Sequence, residues 1–138
     1  MPTERENILA NIKSELESIA EIKHVEVNKA TPVNLSTVPL PACFIDSGVE
    51  NQRDGPFPVD SESWDWEVVV QIWTRGGDIE NLLGLVYSKL MEDPRRGGTS
   101  AVETRRLGAE LVEVDPSGDL LAMVVPFRIV YGHLLGQP

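Results

Sequence analysis

One cysteine, Cys43, stands in the whole of the 138-residue chain, which excludes an intramolecular disulfide. Its surroundings, LPACFID, are apolar and read as those of a buried core thiol rather than a nucleophile. Histidine is nearly as scarce: only His24 and His133 occur, each at the end of a predicted strand. No HExxH, CxxC or DxDxDG spacing is present, so neither a structural nor a catalytic metal is expected. GxSxG is missing too, as are GxGxxG and GxxxxGK[ST]; Gly76-Gly77 ahead of a helix reads as a plain turn into an Asp78 N-cap. With no convergent polar constellation, the expectation is a protein that is not an enzyme and has no cofactor. No apolar run approaches the roughly 20 residues that cross a bilayer, and the N-terminus reads as a charged helix rather than a signal peptide. Folding in a reducing cytoplasm is expected.

Basic residues are also in short supply. Twelve Lys and Arg face 22 Asp and Glu, for a formal net charge of −10. Such a balance lacks the clustered cations that phosphate contacts need, so a nucleic-acid binder is not expected. Charged residues at 25% and hydrophobic ones at 41% describe a globular chain, and the length fits a single domain, 1–138.

Aromatics make up only 6% of the chain, yet all three tryptophans fall in one stretch, Glu62–Thr74. It alternates. Trp64, Trp66, Val68, Val70 and Ile72 share one face; Asp65, Glu67, Val69, Gln71 and Trp73 share the other. A period of two over this length predicts a strand with one buried face, and Val69 and Trp73 predict cover on the second face as well. Asp65 and Glu67, a conceivable carboxylate pair, read better as a solvated face.

Around this strand the other elements fall in order. Thr3 and Glu6 form a capping-box pattern, and Ile8, Leu9, Ile12, Leu16 and Ile19 recur at helical spacing, so a helix is predicted over 4–20. Its other face carries Glu6, Lys13, Glu15, Glu17 and Glu21, too acidic for a membrane-surface helix. HVEVN (24–28) and ACFIDS (42–47) read as strands, separated by a connection containing Pro32, Pro39 and Pro41. Residues 48–61, GVENQRDGPFPVDS, read as a long hairpin loop holding Arg53, Asp54 and Phe57. Loops of this length are uncommon in small domains unless functional or disordered, and both readings stay open: a floppy loop, or an arm that binds a partner. A second helix is predicted over 79–92, with Ile79, Leu82, Leu83, Val86, Leu90 and Met91 on one face and Pro94 ending it. Leu107–Val114 reads as a strand. Asp115-Pro116-Ser117-Gly118 has the residues of a type I turn. Leu120–Tyr131 returns as a second central strand, with Leu121, Met123, Val125, Phe127, Ile129 and Tyr131 on one side. Pro126 lacks an N–H, which predicts a bulge or a local loss of pairing there. Arg95, Arg96, Arg105 and Arg106 form the only basic cluster, either ordinary surface charge or a contact for an acidic neighbour such as another copy of the chain. The fold expected is α+β, a mostly antiparallel sheet of about five strands with two helices on one face.

The layout resembles the tail terminator (tail completion) proteins of long-tailed bacteriophages, the lambda-like minor tail proteins. The likeness lies in an amphipathic N-terminal helix, the proline-preceded strand VPLPACFID, a long hairpin loop, and the strand WEVVVQIWTR leading into a helix that opens on Gly-Asp. That helix closes as LMEDPRRGG, and the last strand is MVVPFRIVYGH. PRRGG departs from the usual pattern by two arginines where an apolar residue is common. The resemblance implies a non-enzymatic protein of the virion tail, assembled in the host cytoplasm. It implies a homo-oligomeric ring, a hexamer on assembly and a monomer in isolation, that caps the tail tube, stops its polymerisation and offers a surface to the head connector. DNA would pass through the ring without specific binding. Arg53, Asp54, Phe57, Arg95, Arg96, Arg105 and Arg106 are the candidate interface residues. The alternatives are another head–tail joining protein of the neck, or a small α+β ligand-binding domain or enzyme.

Overall fold

A computed structural model describes residues 4–27, 39–52, 61–75, 79–92, 101–113 and 120–134. The elements run α1 (Glu4–Glu17), β1 (His24–Val27), β2 (Ala42–Gln52), β3 (Ser61–Arg75), α2 (Ile79–Met91), β4 (Ala101–Arg106), β5 (Glu110–Glu113) and β6 (Leu120–Leu134). The six strands form one sheet in the order β1-β2-β3-β6-β4, with β5 also pairing β6. All pairings are antiparallel except β1 with β2. The fold is therefore α+β as expected, with one strand more than the sequence suggested.

The alternation in β3 does what its period demands. Trp66, Val68, Val70 and Ile72 have no solvent exposure. Across the ladder they meet Ile129, Phe127, Val125 and Met123 of β6, and these are buried too. Both helices bring their apolar stripes to the same cluster: Ile8, Leu9, Ile12 and Leu16 from α1, and Ile79, Leu82, Val86 and Leu90 from α2. Each such side chain removed from water contributes about 1.5–3 kcal/mol. Met91 does not join this face; it is exposed at the end of α2. Two cation–π contacts tie helices to sheet. The Arg5 guanidinium lies 4.7 Å from the Trp66 ring, and that of Arg106 lies 4.5 Å from the Tyr87 ring.

Several predicted boundaries move. Helix α1 ends at Glu17 rather than residue 20, but turn-like hydrogen bonds carry the chain on, Ile19 N–H to Leu16 and Ile22 N–H to Ile19. They bury Ile19 and Ile22, which explains why the helical spacing continued in sequence. Strand β2 runs on to Gln52, so the predicted loop over 48–61 is shortened at its start and its last residue, Ser61, opens β3. The pairing of β2 with β3 shifts between Ser47 and Glu50. Gly48 sits in that shift, where a Cβ would lie 3.1 Å from the Glu67 carbonyl oxygen, so the close approach of the two strands favours glycine. The predicted strand over 107–114 shortens to β5, and a further edge strand that was not predicted, β4, precedes it, the two lying either side of residues 107–109.

Pro126 explains that division. Its pairing with Val69 of β3 is uninterrupted, and its carbonyl accepts a 3.0 Å bond from Leu107 N–H. In an antiparallel strand the N–H and C=O of one residue face the same neighbour. The donor that proline lacks therefore points toward the gap between β4 and β5. The loss of pairing predicted at Pro126 occurs there, on the outer side of β6. Strand β6 runs past its predicted end at Tyr131, through His133 to Leu134. The Thr3 cap, the Asp78 cap, Pro94 and the 115–118 turn lie outside the described residues.

Candidate functional site

Strand residues alternate, so the face opposite the helices carries Phe44 and Asp46 of β2, Asp65, Glu67, Val69, Gln71 and Trp73 of β3, and Arg128 and Val130 of β6. No described element packs over it. The cover predicted for Val69 and Trp73 is partial: both are half-buried. Trp73 meets Phe44 edge-on at 6.4 Å between ring centroids, and its indole Nε1–H donates a 3.0 Å bond to Gln71 Oε1. His24 adds a third ring, 6.2 Å from Phe44, and its Nε2 lies 2.6 Å from Glu26 Oε1. These rings shelter one another, which leaves Phe44 buried on a face without helices. Burial also raises the carboxyl of Asp46, opposite Val69, above the ordinary carboxylate range.

Toward the β4 edge the face becomes charged. Asp65, Glu103, Arg105, Arg128 and Val130 line a small recess of about 40 Å³. Asp65 and Glu67 are half-buried rather than openly solvated. Arg105 Nη2 donates to Glu103 Oε1 at 2.8 Å. Arg105 lies directly opposite Arg128 in the ladder, and like charges so placed oppose pairing. Arg128 is exposed and makes no ion pair among the described residues. It was not singled out in the sequence, where RIV sits inside an apolar run; the signal was available only once the β4–β6 register was known.

The described half of the predicted basic cluster, Arg105 and Arg106, divides between the two faces of the sheet. Arg105 and Arg106 are consecutive in β4 and so project to opposite faces. Arg105 goes to the open face; Arg106 turns to the helix side and covers Tyr87, whose ring meets Phe127 at 5.9 Å. Arg106 is thus held by its own fold. Replacing Arg106 by methionine is expected to lower stability by about 0.5–1 kcal/mol. A double-mutant cycle with Tyr87→Leu in urea melts measures it; a coupling of zero removes the contact. Arg53, Asp54, Phe57, Arg95 and Arg96 lie outside the described residues.

The one nucleophile candidate is closed off. Cys43 has no exposure, and burial pushes its thiol up to about 12, far from the thiolate that reaction needs.

No family model matches the sequence, and no curated protein does either. Among solved structures, the chain is similar to one from the virion of a native gene transfer agent (GTA) particle, with a TM-score of 0.52 over 90% of this chain and 93% of that one. The two are 14% identical, so the likeness is one of fold.

Proposed function

We propose that the chain is a structural protein of a phage-like virion, and within that class a tail terminator. It caps the tail tube as a ring, stops further polymerisation and gives the head a surface to join. The observation that carries the reading is the breadth of the fold likeness: 90% of one chain against 93% of the other, with the neighbour a component of a virion. A shared core motif would cover less. The tail-terminator role is supported by the sequence layout, from the proline-preceded β2 through the β3–α2 junction to the final strand. The geometry described above suits binding better than turnover, since it combines a broad sheet face with a buried, protonated thiol; the reading is non-enzymatic. Its partners are further copies of itself, the tail tube and the head connector.

The test is deletion of the gene in a strain that carries it, followed by electron microscopy of the particles. A terminator leaves tails of uncontrolled length that lack heads, and supplying the gene in trans restores them. Tails of normal length that merely fail to join heads would move the protein to another neck role. Particles indistinguishable from wild type would overturn the virion reading altogether.

A further inference from the structure

Strands β1 and β2 are parallel neighbours, so the chain that leaves β1 at Val27 has to return to the other end of that strand before β2 begins at Ala42. Parallel partners need a crossover of about a dozen residues, which can pass over either face or round the β1 edge. The helix face is taken. Val25, Cys43 and Ile45 lie there in one cluster with Ile12, Leu16 and Ile19. Handedness points the same way. β3 and β4 are also parallel, each being antiparallel to β6, and α2 joins them across the helix face. Such crossovers are right-handed almost without exception. With β3 pointing up and the helices toward the viewer, β4 therefore lies to the right, and β1 and β2 to the left. β1 points down in that view. Turned so that β1 points up, β2 stands to its left. A right-handed crossover moves to the right as seen from its own side, so the one from β1 to β2 belongs on the face without helices.

We infer that residues 28–38, which lie outside the described residues, cross the open face and pack on the ring cluster of His24, Phe44 and Trp73. The sheet beneath that path is apolar: Ala42 and Phe44 are 0% and 2% exposed, although no described element packs over them. The crossover brings apolar side chains of its own, Val33 and Leu35, two apart and so able to share one side of an extended chain. Its eleven residues reach at most about 36–40 Å. Most of that length is used in rising about 10 Å above the sheet, running back along the four residues of β1 and descending to β2. The crossover therefore ends short of Arg105 and Arg128, and the part of the open face left for a partner is the half over β6 and β4. The inference does not rest on the virion reading; it narrows the surface through which any partner, another copy included, meets this face.

A nitroxide spin label at position 34 tests it. Asn34 lies between the two apolar side chains, so N34C leaves both in place, and C43A removes the native thiol. Broadening of proton signals falls steeply with distance from the label, so it reports which face the crossover takes. The Trp73 indole Nε1–H and the His24 ring are expected to lose their signals, while the methyls of Leu16 and Ile19, on the helix side of the sheet, keep theirs. The reverse order puts the crossover beneath the helices. Weak and equal effects on both sets put it round the β1 edge. Either result overturns the inference. A second variant, V33S with L35S, needs no label and leaves the core on the helix face untouched. It is expected to move the Trp73 indole N–H signal and leave the Leu16 and Ile19 methyls in place. A Trp73 signal that does not move, in a variant that melts as wild type does, means that nothing from this segment touches the rings, and the inference falls.

Discussion

Replacing Trp66 by alanine is expected to cost about 3–5 kcal/mol, a large share of the roughly 5–15 kcal/mol that holds a domain folded. Trp66 is fully buried and is the largest such side chain among the described residues. Its ring meets Tyr131 edge-on at 6.0 Å and receives Arg5 of α1 on its face. Removing it leaves a hole between sheet and helix and frees the first turn of α1. The indole Nε1–H has no hydrogen-bond acceptor among the described residues, so Trp66→Phe removes a costly unsatisfied donor along with the extra ring. That change is expected to cost well under half as much. Trp73, seven residues on and facing the other way, is half-buried, and Trp73→Ala is expected to lose only about 1–2 kcal/mol in the isolated chain. Urea unfolding of the three variants gives the comparison. Equal losses at Trp66 and Trp73 would mean that the two sheet faces have been assigned the wrong way round.

The contrast between these tryptophans shows what a sequence can and cannot carry. Alternation is local, so the buried face of β3 and that of β6 could be read from Trp66, Val68, Val70 and Ile72, and from Met123 to Tyr131. The stripes of α1 and α2 are local too. Whether the second face is covered depends on where the helices are placed, and both described helices are committed to the first face. Val69 and Trp73 therefore stay half-buried despite their apolar character. Edge behaviour was less legible. VETRR has no apolar alternation, since β4 is an edge strand, so the sequence did not announce it. Pro126 did announce a break in pairing, but only the three-dimensional order shows that the break falls on β4 and β5 rather than on β3. The arginines show the same limit. Adjacent in sequence, Arg105 and Arg106 looked like one patch; the strand's period of two sends them to opposite faces. Arg128, distant in sequence, is the real neighbour of Arg105. The parallel pairing of β1 with β2 had no local signal at all, since parallel partners are never joined by a tight turn.

Alkaline pH is expected to destabilise the protein through Cys43, and the size of the effect can be worked out. The thiol rises from an ordinary 9.0 to about 12 in the folded chain because burial disfavours its charge. The folded state therefore holds a proton that the unfolded state gives up once pH passes about 9. Stability from this group is fully present below that point. Above it, stability falls by about 1.4 kcal/mol per pH unit for one proton, reaching about 4 kcal/mol at pH 12. Lysines and tyrosines titrate in the same range, so the comparison must be with Cys43→Ala, which keeps them all. The variant leaves a small cavity among Ile45, Val70 and Ile72 and is expected to be about 1 kcal/mol weaker at pH 8. It has no buried proton to lose, so its stability falls less steeply with pH. The two curves should meet about one unit above pH 9, and beyond that the alanine variant should be the more stable. Urea melts at half-unit steps from pH 8 to pH 11 resolve the crossing. Alkylation gives a second reading of the same physics: with thiolate suppressed and access closed, native protein at pH 8 should react at least about a thousandfold more slowly than unfolded protein. Curves that run parallel, together with fast native alkylation, would mean that Cys43 meets solvent and that the β2 layer of the core is looser than its burial indicates.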